Sequence, residues 1–206
     1  GGSVMGGSSV LLRVHGGDGS DVLFLTARPA SLFASAAPSA VVADPAGGLT
    51  LVGTFYGDID LGGRILHGPF LYESPATFVA RYDAAGALLW VVELPRGRRI
   101  FAVTAGPTAD VFLSADQGQD LVVERLSAVD GGLMWSERFP RGSSSQSRVL
   151  GLAATRTGRL SMVLRLDGSL TLGGQLLRGV TNTWDNYVVE LGASDGAYRW
   201  SNRFGN

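Results

Sequence analysis

The sequence contains no cysteine and no lysine. The absence of cysteine excludes disulfide bridges, thiolate metal sites, a cysteine nucleophile and a lipid-modified cysteine within this chain. All 17 basic residues are arginines, which reflects either the base composition of the gene or a surface that favours planar, bidentate donors. The two histidines, His15 and His67, lie in different segments and do not supply the ligands of a zinc centre. We therefore predict no metal site and no cofactor.

Charge and long apolar runs are also scarce. The formal net charge is −1 and charged residues make up 17% of the chain, so the sequence lacks the basic surface that nucleic-acid binding needs. It has no run of about 18 apolar residues, and we predict no membrane span. Residues 1–9 lack the charged and apolar regions of a signal peptide. We expect a soluble protein, and either the bacterial cytoplasm or secretion fits its composition.

The motifs of common enzyme classes are missing as well. The sequence has no nucleophile elbow, phosphate-binding loop or dinucleotide fingerprint. Carboxylates lie close to glycine at residues 18–21 and 57–60, but neither segment continues as a calcium-binding loop, and turn formation explains both. The sequence therefore predicts no catalytic residue and favours a protein that is not an enzyme.

Glycine is abundant, with 30 residues, and the apolar fraction of 45% is sufficient for a core. Three tryptophans each follow a glycine by four residues. The pairs are Gly86 and Trp90, Gly131 and Trp135, and Gly196 and Trp200. Each pair ends a segment with an apolar run, a small turn and a second apolar run, which is the pattern of a β-hairpin. An aromatic residue repeated at one position predicts a packing anchor between repeats rather than a ligand-stacking site.

Each repeat has a further strand–turn–strand pattern upstream, so that one unit contains four strands. Four-stranded units at a period of roughly 40 to 60 residues are typical of β-propeller blades. We predict an all-β fold, a β-propeller-like array of four-stranded antiparallel blades within a single domain, 1–206. The blades cover approximately 40–95, 100–140 and 148–204, and a half blade covers 10–28. These about three and a half blades form an incomplete or small propeller, because closure typically takes at least four blades.

Two of the tryptophan-ended phrases, Ala128–Trp135 and Ala193–Trp200, resemble the tryptophan-docking repeat of quinoprotein-like propellers. Residues 78–90, preceded by Leu61-Gly62-Gly63, resemble the SBBP-type repeats of bacterial propellers. The resemblance covers most of residues 40–206 and implies the propeller fold. These families include dehydrogenases, membrane-assembly scaffolds and adhesins or lipoproteins, so the resemblance implies no single activity. A quinoprotein dehydrogenase is disfavoured, because the chain is too short and lacks the calcium carboxylates.

Two near copies of one segment, Asp60–Gly68 and Leu170–Gly179, interrupt the first and third repeats between their second and third strands. The middle repeat has no such segment. A Gly-Gly pair followed by apolar residues and a final glycine predicts a small hairpin. Polar and aromatic stretches follow at 69–75 and 180–186, and loops on a rigid scaffold are where binding residues concentrate.

Arginines and aromatic residues gather in these segments, and arginine forks suit carboxylates while tyrosine and tryptophan supply contact area. The candidate peptide-binding residues are Arg64, His67, Tyr72, Arg98, Arg178 and Trp184. Solvated arginines and a tryptophan packed on its own sheet are the alternative interpretation.

The favoured function is a non-catalytic binding module that recognises a peptide or protein segment. The segment binds at an open strand edge or in a groove lined by the inserted loops. One alternative is a structural fragment of a larger secreted bacterial propeller or adhesin that oligomerisation, including homo-oligomerisation, completes. Another, disfavoured by the missing motifs, is a quinone- or carbohydrate-active propeller enzyme.

Overall fold

The computed structural model describes residues 10–15, 21–29, 34–180 and 183–204, with side chains from residue 34 onward in these ranges. Strands make up 63% of the protein, and the described residues contain no helix. The all-β prediction is therefore confirmed. Residues 16–20, the predicted turn of the half blade and part of the first carboxylate–glycine segment, lie outside the described residues.

The chain divides into two compact units, Gly1–Gly97 and Arg98–Asn206. The N-terminal unit contains two four-stranded antiparallel sheets, with strand orders β1-β2-β5-β6 and β3-β4-β7-β8. Its strands are β1 (Val10–His15), β2 (Asp21–Pro29), β3 (Ser35–Ala43), β4 (Leu49–Tyr56), β5 (Asp58–Asp60), β6 (Ile65–His67), β7 (Ala76–Tyr82) and β8 (Leu88–Leu94).

The C-terminal unit contains two four-stranded antiparallel sheets, β12-β11-β10-β9 and β13-β14-β17-β18, and the two-stranded hairpin β15-β16. Its strands are β9 (Ile100–Ala105), β10 (Val111–Gln117), β11 (Asp120–Leu126), β12 (Leu133–Pro140), β13 (Gln146–Ala154), β14 (Arg159–Asp167), β15 (Ser169–Leu172), β16 (Gln175–Arg178), β17 (Asp185–Gly192) and β18 (Tyr198–Phe204).

Among the side chains that the structure describes, the hydrophobic cores lie mainly on the two middle strands of the three four-stranded sheets that follow β2 in the chain. Every residue of β7 is buried, whereas β18 is mostly exposed. Phe55 and Phe78 meet edge to face in the N-terminal unit, with ring centroids 6.0 Å apart. In the C-terminal unit Met162, Leu164 and Val189 are fully buried. Branched and aromatic side chains on strands flanked by two neighbours bury most of the apolar surface, and this burial is the main stabilising term.

Both inserted segments form the predicted hairpins. Strand β5 pairs with β6, and β15 pairs with β16. Gly62 and Gly173 turn the chain with φ values of +99° and +54°, a backbone region that favours glycine. Three apolar side chains of each hairpin are buried at equivalent positions: Ile59, Leu61 and Leu66 in the first, and Leu170, Leu172 and Leu177 in the second. The inserts are therefore part of the core, although Ile65 and Leu176 of the same hairpins remain exposed.

Each inserted hairpin also pairs with the end of the sheet that precedes it, by joining that sheet in the N-terminal unit and by one isolated bridge in the C-terminal unit. In the N-terminal unit Ile59 of β5 pairs with Pro29 at the end of β2. In the C-terminal unit the equivalent residue, Leu170, forms a bridge with Arg141, directly after β12. Sequence analysis did not predict this pairing. It ties consecutive sheets within each unit by backbone hydrogen bonds rather than by side chains alone.

The repeated tryptophans have different environments. Trp90 is buried, with 6% of its surface exposed. Trp135 packs on Phe112 at a centroid distance of 6.0 Å, and its Nε1 donates a 3.1 Å hydrogen bond to the carbonyl of Ala193 in the following sheet. Trp200 remains 39% exposed. The packing-anchor prediction is thus confirmed for Trp135, whereas for Trp200 it stays a prediction.

One residue opposite each repeated tryptophan forms an ion pair with the first turn of its sheet. Arg81, Arg125 and Glu190 occupy this position, opposite Trp90, Trp135 and Trp200 respectively. The pairs are Arg81 with Asp44 at 2.7 Å, Arg125 with Asp110 at 2.5 Å, and Glu190 with Arg159 at 3.4 Å. The third repeat therefore keeps the ion pair with its charges exchanged.

Asp110 accepts hydrogen bonds from Arg125, from the Thr108 hydroxyl at 2.8 Å and from the Ala128 amide at 3.0 Å. Burial by itself would raise the pKa of this carboxyl, but these donors and the Arg125 charge hold the pKa below its usual value. In the N-terminal unit, burial and the nearby charge of Asp60 raise the pKa of Tyr82 to about 12. The Tyr82 hydroxyl donates to the carbonyl of Leu61 at 3.1 Å, which keeps the inserted hairpin against β7.

Candidate binding cleft

Three of the predicted binding residues lie on the first inserted hairpin or in the loop after it. Arg64 is exposed in the turn between β5 and β6. His67 is exposed on β6, with its Nδ1 3.0 Å from the Asp58 carboxylate. Tyr72 is fully exposed, at 102% of its reference surface. Asp60 caps the hairpin turn, accepting the amides of Gly62 and Gly63, which confirms the turn interpretation of residues 57–60.

The other three lie in the C-terminal unit, and their environments differ. Arg98 is 7% exposed, and its two terminal nitrogens each lie 3.0 Å from an oxygen of Glu124. Arg178 is exposed on β16, where its carbonyl accepts the Tyr187 hydroxyl at 2.6 Å. Trp184 is 38% exposed. Arg98 thus belongs to a buried ion pair, and Trp184 is the member that lines a cavity.

That cavity has a volume of about 330 Å³. Its lining residues are Arg99, Phe101, Asp116, Arg141, Ser145, Gln146, Ser147, Arg148 and Trp184. A second cavity of about 310 Å³ shares Arg141, Ser145 and Gln146 with the first and extends to Gly118 and Gln119 in the turn between β10 and β11. The two cavities adjoin at these shared residues, and together we name them the arginine cleft.

The loop between β12 and β13 forms one wall of the arginine cleft and is held by hydrogen bonds to β15. The amide of Gly142 donates to the carbonyl of Ser169 at 3.0 Å, and the Ser145 hydroxyl accepts the Ser169 amide at 2.8 Å. Ser144, at the tip, adopts a φ of +63°, a conformation that costs a non-glycine residue some strain. The inserted hairpin therefore fixes the position of this serine-rich loop.

Arg141 is the internal support of the cleft rather than a free cation. Its side chain is only 9% exposed, and it forms an ion pair with Asp116. Its Nε donates to the Ser147 hydroxyl at 2.6 Å. The contact joins β10 to the start of β13. Among the described residues that line the cleft, Asp116 is the only carboxylate, and Arg141 already pairs with it.

Two arginines lie directly opposite each other on neighbouring strands at the cleft. Arg148 of β13 pairs in register with Arg165 of β14, and both side chains are exposed. Like charges directly opposite each other on an antiparallel pair are destabilising. Neither arginine forms an ion pair with any residue that the structure describes. The Arg165 guanidinium lies 5.0 Å from the centre of the Trp184 ring, a cation–π contact.

Arg99 adds a third exposed cation, 5.7 Å from the centre of the Phe101 ring. The lining has three arginines, Arg99, Arg141 and Arg148, against one aspartate, in a chain whose net charge is −1. Arg165 is not a lining residue and adjoins the cleft through its contact with Trp184. An arrangement of this kind attracts anions and presents planar surfaces beside them. Within the described ranges no group of three or more metal-binding side chains occurs.

Sequence reasoning identified Trp184 and the neighbourhood of Arg98 and Arg99, but it missed Arg148, Arg165 and Asp116. The register of β13 against β14 decides which arginines face each other, and a bulge between Val149 and Gly151 shifts that register. The signal that could have drawn attention was the serine-rich segment 142–147, which Arg141 and Arg148 flank.

No model of a known protein family matches the sequence, and no curated protein matches it. Among solved structures, the fold is similar to a protein of unknown function from Bacteroides caccae, with a TM-score of 0.40 and 11% sequence identity. The match covers 81% of this chain and 61% of that chain, so this chain spans less than two thirds of its length. The described residues contain no helix long and apolar enough to cross a membrane.

Proposed function

We propose that this protein is a non-catalytic binding module that recognises a peptide or protein segment, and that the arginine cleft is its binding site. The observation that carries the proposal is the combination of exposed arginines without a carboxylate partner among the described residues and a half-exposed Trp184 in one depression. Arginine and tryptophan dominate binding energy at protein interfaces. The cleft volume of about 330 Å³ lies at the lower end of binding pockets, which span about 300–1,000 Å³, and suits a few residues of an extended segment.

Two strand edges at the cleft support a peptide as the ligand. Strands β9 and β13 are each hydrogen-bonded to a neighbour on one side only within the described residues. Phe101 of β9 and Gln146 to Arg148 of β13 line the cleft. An extended segment that enters the cleft can pair as an added strand with the part of either edge that the contact between β9 and β13 leaves free. The sequence predicted binding either at a strand edge or in a groove, and in this proposal both lie at the arginine cleft.

We also propose that the sheets are blades of a small or incomplete propeller. Within the C-terminal unit, the first strands of the two sheets, β9 and β13, contact each other. Trp135 on the last strand of one sheet reaches the turn of the next. First strands that meet on the inside and last strands on the outside are the radial order of propeller blades.

Titration calorimetry with a library of short peptides tests the binding function. We expect binding to weaken in Trp184→Ala and Arg148→Gln. Binding should persist in Arg156→Gln, whose side chain is exposed in the turn at the other end of β13. Folding of each variant is checked by its thermal unfolding midpoint. Peptide binding that is unchanged in both cleft variants would remove the cleft as the site.

A second candidate function, a scaffold completed by oligomerisation, has an observation of its own. Trp200 occupies the register position of Trp135 but is 39% exposed, and Phe204 on the same strand is 46% exposed. Apolar residues exposed together mark interaction surfaces. Sedimentation velocity on the protein and on Trp200→Arg tests this candidate. A monomer at all concentrations, identical in the two proteins, would contradict it.

A further inference from the structure

We propose that the ligand of the arginine cleft is an acidic peptide, and that Arg148 and Arg165 together bind one of its carboxylates beside the Trp184 ring. The inference rests on the proposed binding function and names the chemistry of the ligand. Its basis is the pair of arginines that face each other on β13 and β14. Their positive charges repel each other, and an anion bound between them would interact favourably with both.

The neighbouring carboxylates are already engaged. Asp116 pairs with Arg141. Asp185 accepts hydrogen bonds from Arg203 at 2.9 Å and from the Val180 amide. Asp167, two residues along β14 from Arg165, takes part in another interaction. Arg148 and Arg165 therefore have no carboxylate of their own among the described residues, and an external anion supplies one.

The geometry favours a carboxylate on a peptide over a free ion. Guanidinium forks bind carboxylate oxygens in pairs, and two forks that face each other can accept both oxygens of one group. Trp184 is 38% exposed and its ring lies 5.0 Å from Arg165, so it offers a flat apolar surface next to the charged site. A residue that adjoins the acidic one can pack there, and the peptide backbone can pair with the part of the β9 or β13 edge that the contact between these two strands leaves free.

Arg99 extends the positive surface to the opposite wall, since it lies on the β9 side of the cleft. It is exposed, and among the described residues its side chain contacts the Phe101 ring. A second acidic residue of the ligand can reach it. The preferred peptide is therefore extended, carries at least one Asp or Glu, and has an aromatic or aliphatic neighbour for Trp184.

Fluorescence anisotropy with matched labelled peptides tests the inference. Each pair has the same length and sequence except that Glu is replaced by Gln, and the probe set includes Glu-Phe and Gln-Phe peptides. We expect the acidic member to bind about tenfold more tightly or better, which corresponds to about 1.4 kcal/mol. Arg148→Gln and Arg165→Gln should remove this preference and leave the affinity for the Gln peptide unchanged. The control Arg156→Gln should retain the full preference.

The outcomes separate the two proposals. If neither member of any pair binds, the proposed function itself fails. If both bind equally well and Arg148→Gln changes nothing, the acidic ligand is overturned while the binding function stands. If phosphopeptides or inorganic phosphate compete far better than the Glu peptide, with the same dependence on Arg148, the ligand is a phosphate and the carboxylate assignment is overturned. Folding is controlled independently, because both substitutions remove a like-charge contact and should not lower the unfolding midpoint.

Discussion

The indole Nε1 of Trp135 donates a 3.1 Å hydrogen bond to the carbonyl oxygen of Ala193. The same oxygen accepts a 3.2 Å hydrogen bond from Nη1 of Arg125. Trp135 and Arg125 lie on β12 and β11, whereas Ala193 lies in the turn between β17 and β18. One carbonyl thus joins the two four-stranded sheets of the C-terminal unit, with a second link in the bridge between Arg141 and Leu170.

Removal of the indole hydrogen bond should weaken this link. We expect Trp135→Phe to lower the free energy of unfolding by about 1–2 kcal/mol, because a smaller aromatic ring replaces the indole and one partly buried donor is lost. Urea denaturation followed by circular dichroism measures the change. Trp200→Phe is the matched control, since its ring is already 39% exposed, and it should cost less. Equal losses in the two variants would contradict a special role for Trp135.

Gly196 should tolerate no side chain. A Cβ there would lie 2.6 Å from the Glu137 side chain and 2.9 Å from the Trp135 ring, and the backbone φ is +70°. Gly158 has a similar φ of +76° but nothing within 4 Å of its Cβ position. Gly158→Ala should therefore lower the free energy of unfolding only by the backbone strain, about 1–2 kcal/mol. Gly196→Ala should lower it by about 1–3 kcal/mol more, because the added methyl group overpacks the site. Urea unfolding of the two variants gives the difference, and similar values for both would contradict the close approach.

The Asp110 carboxylate should make the free energy of unfolding depend on pH in the acidic range. Its folded pKa lies below the usual value, so its stabilisation is complete above the unfolded pKa near 3.8 and is lost as the pH falls through the folded pKa. We expect Asp110→Asn to cost about 1.5–3 kcal/mol at pH 7. The difference in free energy of unfolding between this variant and the unaltered protein should become smaller below pH 4. Urea midpoints between pH 2 and 7 measure this, and a gap independent of pH would exclude the ionised carboxylate as the cause.

The ion pair of the third repeat, Glu190 with Arg159, can be tested by exchanging the charges of its two residues. Glu190→Arg places two cations together, and Arg159→Asp places two carboxylates together, so each single change should destabilise the protein. The double variant recreates the Arg–Asp polarity of the other repeats and should recover more than half of the summed loss. Because the Arg159 side chain is 60% exposed, we expect effects of about 1 kcal/mol or less. Additive losses in the double variant would show that the two residues do not interact.

Much of the fold could be predicted from the sequence because it is specified locally. Alternating apolar residues and Asp-Gly turns predicted the hairpins, and the paired glycines at Gly62 and Gly173 predicted the inserts. The pairing of the inserts with the preceding sheet could not be predicted, since it joins residues such as Ile59 and Pro29 that are far apart in sequence. Strand pairing of that kind depends on the whole array rather than on a local pattern.

The binding cleft was less predictable for the same reason. Arg98 lies in a polar loop segment, and only the position of Glu124 on β11 explains why it is buried. Arg148 and Arg165 are 17 residues apart in the numbering, and their opposition depends on a bulge in β13. The sequence indicated that arginine and tryptophan side chains would form the binding site. Which arginines face each other depends on the register of the strands, which the sequence did not predict.

The exchanged polarity of the third repeat also bears on how the chain assembles during folding. A protein built from similar hairpins risks docking one hairpin in another's place, a known failure of repeat proteins. A hairpin carrying Glu190 would meet Asp44 or Asp110 at the wrong turn and bring two carboxylates together. A hairpin carrying Arg81 or Arg125 would meet Arg159 there and bring two cations together. The Glu190–Arg159 pair thus distinguishes the third repeat from its neighbours and discourages misassembly.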